Sequence, residues 1–162
     1  MVPRFVAAVL LVIVSVYAGA DFNAVSADRT ISGSSAYPTA IHPAQVASYP
    51  GSVKSGAGYF YDDVLEYRVW LHPERGAASK GSGGDYFMAF AQYERALAYS
   101  RQSEGAEGPL VLVRQLKHVN EPQPGVFEVI AGERLTEWQV PWLAGSKRTP
   151  GAIETFMREH GK

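Results

Sequence analysis

The stretch Val64 to His72 (VLEYRVWLH) alternates apolar and polar residues, and this period of two predicts a strand. Glu66, Arg68, Trp70 and His72 then share one face, and Leu65, Tyr67, Val69 and Leu71 the other. Pro73 ends the strand, and Gly76 to Gly84 (GAASKGSGG) has the composition of a loop. It leads to a short apolar strand, Tyr86 to Phe90. Tyr93, Ala96, Leu97 and Ser100 recur at helical spacing with Glu94, Arg95 and Arg101 facing away, which predicts an amphipathic helix. The run Glu104 to Pro109 (EGAEGP) stops that helix. Leu110 to Leu116 reads as a buried strand, Pro122 to Gly125 as a turn, and Val126 to Ile130 as the next strand. Gly132 is the expected bend before a last strand, Arg134 to Val140. Thr149 and Pro150 suit the N-cap and first position of a closing helix carrying Ile153, Phe156, Met157 and His160 as its stripe. The order β, β, α, β, β, β, α describes an α+β domain with a small mixed or mainly antiparallel sheet and two helices.

The domain is expected over residues 53–162. Ahead of it, Arg4 supplies one positive charge and Phe5 to Ala20 (FVAAVLLVIVSVYAGA) has none, closing on the small-x-small triplet Ala18-Gly19-Ala20 before Asp21. That is the pattern of an export signal over residues 1–20, cleaved or retained as a membrane anchor through residues 5–20. It makes the chain periplasmic or secreted, or tethered, with contact to a membrane during export; a true start further along would make it cytoplasmic. Residues 21–52, rich in Ser, Ala, Gly and Pro without a sustained period, read as a flexible linker.

Composition then narrows the chemistry. The 162 residues are 46% hydrophobic and 19% charged, an ordinary globular balance. Fifteen Lys and Arg against sixteen Asp and Glu give a net charge of -1, so no global field favours nucleic acid. Without cysteine there are no disulfides, thiolate metal sites or thiol nucleophiles, and with four histidines remaining no metal site is expected.

The glycine-rich stretches carry no phosphate-binding motif. Gly76 to Gly84 holds Lys80 but not the GxxxxGK[ST] order, and no GxGxxG or GxSxG occurs. The nearest approach to the acetyl-CoA turn [QR]xxGx[GA] is Gln102 to Glu107 (QSEGAE), where Glu107 stands in place of Gly or Ala and the turn follows a helix.

Two polar groupings are better candidates. Arg68 and His72 would lie about 13 Å apart along their strand, enough to bracket an extended anionic ligand with Trp70 available to stack. The alternative is a solvated face on which Arg68 pairs with Glu66 or a cross-strand carboxylate, and His72 is an ordinary loop histidine. Glu137, inside the last strand, could stabilise a developing cation in a sheet cleft, or form a salt bridge to Arg68 or Arg114. Phe90, Phe127, Trp138 and Trp142 are expected in the core.

The segments YPGSVKSGAGYFYDDVLEYRVWLHPERG, GGDYFMAFAQYERALAYS and ERLTEWQVPWL resemble a family of short bacterial proteins labelled GCN5-type acetyltransferases. The resemblance spans Tyr49 to Arg148 and implies acetyl-CoA as a cofactor. The element order is also similar to the ADP-ribosyltransferase-like fold, which implies a transferase or glycohydrolase binding NAD. By that resemblance Arg68 or His72 would hold the NAD, Tyr86 would stack on nicotinamide, and Glu137 would act catalytically on the oxocarbenium-like ribose. Leu135 stands two before Glu137, where arginine-modifying members carry a second Glu, so arginine is not the implied acceptor. The third reading is a non-catalytic exported interaction module with an unknown protein partner.

Overall fold

The computed structural model describes residues 35–161 apart from Ala57 and Ser82. The export segment and the first part of the linker lie outside the described residues. No helix among those described is long and apolar enough to cross a membrane.

The domain is a small α+β fold. Its five strands, β1 (Lys54–Ser55), β2 (Asp63–Leu71), β3 (Tyr86–Phe90), β4 (Leu110–Gln123) and β5 (Val126–Gln139), form one sheet in the order β1-β5-β4-β2-β3. All neighbours are antiparallel except β1, whose two residues pair in parallel with Thr136 and Glu137 of β5. Helix α1 (Tyr93–Gln102) follows β3 and α2 (Ala152–His160) closes the chain.

One face of the sheet carries the apolar core, built from Tyr67 and Val69 of β2, Val111 and Val113 of β4, Trp138 of β5 and Ala96 of α1. Of the helical stripe read from spacing, α1 buries Ala96 and packs Tyr93 against the core, joined by Tyr99 from outside the stripe. Trp142 departs from expectation and is 43% exposed, because it falls in a short 3-10 helix, Val140–Leu143, that turns its neighbours Val140 and Leu143 inward instead.

Both faces of β2 are buried. Glu66 and Arg68 have no exposed surface, which differs from the solvated face that alternation suggests. The cover is the chain ahead of the sheet. Residues 35–51, linker-like in composition, run against the domain through backbone groups: the Ala40 N–H donates to the Ala91 carbonyl and the Ile41 N–H to that of Val64, each at 2.8 Å. The Tyr67 hydroxyl donates to the Pro38 carbonyl.

β5 is one continuous strand where two are expected. Gln115 pairs with Arg134 and Lys117 with Ala131, so Gly132 and Glu133 together face the single residue Leu116. Gly132, at φ +135°, absorbs the extra residue as a bulge and the strand continues. At the other end Gly125 (φ +75°) completes a two-residue Pro-Gly turn between β4 and β5. The Glu121 carboxylate accepts from the Gly125 N–H at 2.8 Å and from the Tyr59 hydroxyl at 2.6 Å. Accepting that proton keeps Tyr59 protonated, its pKa pushed up to about 12, and holds Glu121 below the usual carboxylate range.

β2 ends its pairing with β4 at Asp63 and Arg114, so β4 and β5 run on as a two-stranded arm. One side of the arm is covered by Tyr59 and by Phe156 of α2, whose rings enclose Phe127.

Candidate functional site

Strand alternation brings Arg68, Trp70 and Glu137 together. Arg68 and Trp70 lie two apart on β2, and Leu112 of β4 stands between Glu66 and Glu137 in the cross-strand register, so all four carry their side chains on the face opposite the core. Arg68 Nε donates to Glu66 at 2.7 Å and Nη1 to Glu137 at 2.9 Å. Nη2 donates to the Pro50 carbonyl at 2.8 Å, and Nη1 also reaches the Gly51 carbonyl at 3.4 Å. The Phe87 ring closes the remaining face, its centroid 4.3 Å from the guanidinium carbon. Trp70 Nε1 sits 3.3 Å from both Glu137 oxygens.

One cation and two carboxylates are thus buried together, leaving one excess negative charge. The second Glu66 oxygen accepts from the Ala47 N–H at 2.7 Å, and Ala47 takes the left-handed backbone conformation (φ +69°) there. The Trp70 indole N–H serves Glu137 in the same way. The Glu137 side chain is only 10% exposed. A phosphate could grip Arg68 only by displacing carboxylates and carbonyls already bound. As built, this cluster fastens the covering segment 47–51 to the sheet.

The other two residues read as cofactor contacts do not join it. Tyr86 pairs with Leu71, which puts its side chain on the face away from Trp70 and Phe87. Its hydroxyl donates to the Ala78 carbonyl at 2.9 Å and its ring lies under Lys80. His72 stands just past the end of β2 among carboxylates: Nδ1 is 3.1 Å from Asp85 and 3.5 Å from Glu74, and Nε2 is 3.0 Å from Glu107. None of these three acids was singled out around His72 by sequence reasoning. The available signal was the H-P-E turn, together with an aspartate at the start of the strand that pairs back onto it.

Parallel pairing among the described residues is limited to β1 with β5 and a single bridge between Tyr61 and Lys147. A groove of about 580 Å³ runs beside α1, lined by Tyr93, Leu97, Glu107, Leu110 and Gln139 among others. Arg68 and Glu137 are not among its lining residues.

His118, on the inner part of the arm, is buried with its Nδ1 unpaired. Burial, reinforced by Arg134 and Lys54, lowers its pKa from the ordinary histidine value. Between that ordinary value, about 6.5, and its lowered native value the unfolded chain holds the proton and the folded chain does not. Stability therefore falls as pH drops through that window. Urea unfolding at pH 7 and pH 5 is expected to show this loss, and His118→Gln to reduce it; an unchanged slope in the variant would remove His118 as its source.

Comparison of the chain with protein-family models, with curated proteins and with solved structures finds no match.

Proposed function

We propose that the chain is a non-catalytic interaction module that takes up an extended segment of a protein partner along its β4–β5 arm. One observation carries this reading. Among the described residues, β5 from Val126 to Arg134 has no strand on its outer edge, while Val126 is 51% exposed and Val129 and Ile130 38% each. Leu116 on β4, opposite the bulge, is 44% exposed. A two-stranded ribbon is marginal by itself, and an open edge flanked by apolar side chains is a template for strand addition. The edge bears Glu128 and Glu133 but no lysine, the residue that commonly blocks such pairing.

Display of a random peptide library against the full chain tests this. Enriched peptides are expected to be rich in β-branched and aromatic residues and to protect β5 amides from hydrogen exchange. The substitutions Val129→Lys and Ile130→Lys should abolish that protection while leaving the unfolding midpoint within about 0.5 kcal/mol of wild type. Enrichment of nothing, or protection elsewhere in the sheet, would refute the arm as the binding edge. A concentration-dependent dimer protecting the same amides would identify the partner segment as a second copy.

The NAD reading retains one supporting feature, the convergence of Arg68, Trp70 and Glu137. It requires the covering segment 47–51 to lift away, since four of the N–H groups of Arg68 are already engaged. Calorimetry with NAD and with acetyl-CoA on the full chain is expected to give no binding at millimolar concentration. Nicotinamide release that is lost in Glu137→Gln would instead establish the NAD reading.

A further inference from the structure

We propose that His72, Glu74 and Asp85 form a binding site for a divalent transition-metal cation of the zinc class. The site follows from the β2–β3 connection. Leu71 pairs with Tyr86, so the next residues outward, His72 and Asp85, come opposite one another with side chains on the same face. Pro73 starts a short 3-10 helix, Pro73–Arg75, that carries Glu74 back toward the same point. One donor atom from each of the three residues falls within 4.8 Å of the others.

The imidazole itself is the independent sign of a ligand. His72 is only 8% exposed, yet neither ring nitrogen makes a hydrogen bond. Burying a polar group without a partner is costly, so such groups are nearly always satisfied. Here Nδ1 has carboxylate oxygens at 3.1 and 3.5 Å in directions that do not suit an N–H bond. Those separations match the donor-to-donor edge of a tetrahedral zinc site, about 3.4 Å for bonds near 2.1 Å. A cation between the donors would satisfy the nitrogen and offset the repulsion between Glu74 and Asp85.

On the far side of the ring a carboxylate stands near the second nitrogen, as it does around metal-binding histidines, although without hydrogen-bond geometry here. Glu107 lies 3.0 Å from Nε2, and Arg75 Nη1 fixes it at 2.9 Å. The backbone is held as well. The His72 N–H donates to the Gly105 carbonyl at 2.9 Å and the Glu107 N–H to the Trp70 carbonyl at 2.9 Å. One nitrogen and two oxygens suit zinc over magnesium or calcium, which prefer all-oxygen shells. The scarcity of histidine led to an expectation of no metal site; two carboxylates here supply what further histidines do not.

Titration of Zn²⁺ into the full chain, followed by calorimetry and by long-range nitrogen spectra of the histidine rings, tests the proposal. One equivalent should bind and shift His72 Nδ1, with Mg²⁺ failing to compete at millimolar concentration. Asp85→Asn and Glu74→Gln, both at exposed positions that tolerate substitution, should each weaken binding at least tenfold, and Glu107→Gln by about 10–100-fold. No stoichiometric binding, or binding indifferent to Asp85→Asn and Glu74→Gln together, would overturn the site.

Discussion

Arg68→Ala is expected to destabilise the domain by about 3–5 kcal/mol, the usual result of removing one partner from a buried ion pair. The loss arises less from the missing attraction than from what stays behind. Glu66 and Glu137 would face each other across a void, in a place where Glu66 has no access to water. The Pro50 and Gly51 carbonyls would lose their donor, so segment 47–51 should loosen with the sheet. Urea unfolding of the full chain followed by circular dichroism measures the change. The triple variant Glu66→Gln/Arg68→Met/Glu137→Gln should recover much of it, because replacing a whole buried charge cluster is often neutral while breaking it is not. A wild-type midpoint for Arg68→Ala would mean that the guanidinium is dispensable to the fold and free to hold a ligand. The NAD reading would then gain over the interaction module.

Trp138→Ala should cost a similar amount, about 3–5 kcal/mol, for a different reason. Trp138 is 1% exposed and stands at the centre of the core face, against Tyr61. Its indole N–H donates to Thr136 at 3.1 Å, Thr136 donates to Gln115 at 3.0 Å, and Gln115 donates to the Phe60 carbonyl at 2.6 Å. This relay ties the root of the arm to the chain that enters β2. Trp138→Phe separates the two contributions: it keeps most of the packing and removes only the indole donor, at about 1–3 kcal/mol. Equal losses for the two variants would show that the hydrogen-bond relay, and not the cavity, sets the cost. Thermal unfolding of both variants beside wild type decides between them.

Elements with a strong internal period were legible in the chain by itself. The alternation of Val64 to His72 and the helical stripe from Tyr93 to Ser100 encode local structure through side-chain direction. The last helix was foreseen too, but it starts at Ala152 with Gly151 at its N-cap, beyond the Thr149 cap and Pro150 first position expected from the sequence. From their order the α+β class followed. The Pro-Gly turn at Gly125 was legible too, since its backbone requirement is local. Gly132 was misread because a glycine inside a strand pattern marks either a bend or a bulge, and only the register with β4 distinguishes them.

What lay beyond the sequence depends on contacts between distant residues. Residues 35–51 carry no apolar period because, apart from Tyr37 and Ala40 packed against the core, they attach largely through carbonyls and N–H groups, which every residue possesses and no pattern reveals. Their presence over β2 turned Glu66, Arg68 and Glu137 from a candidate open cleft into a buried cluster. Tyr86 was separated from Glu137 by the parity of one cross-strand pair, Leu71 with Tyr86. The acids around His72 come from three separate stretches of chain that meet only when β3 pairs with β2 and the loop after α1 returns to the strand end. Residue types and local periods are written in the chain; burial, face and proximity were decided by the tertiary structure, because each depends on which segment the fold lays over which.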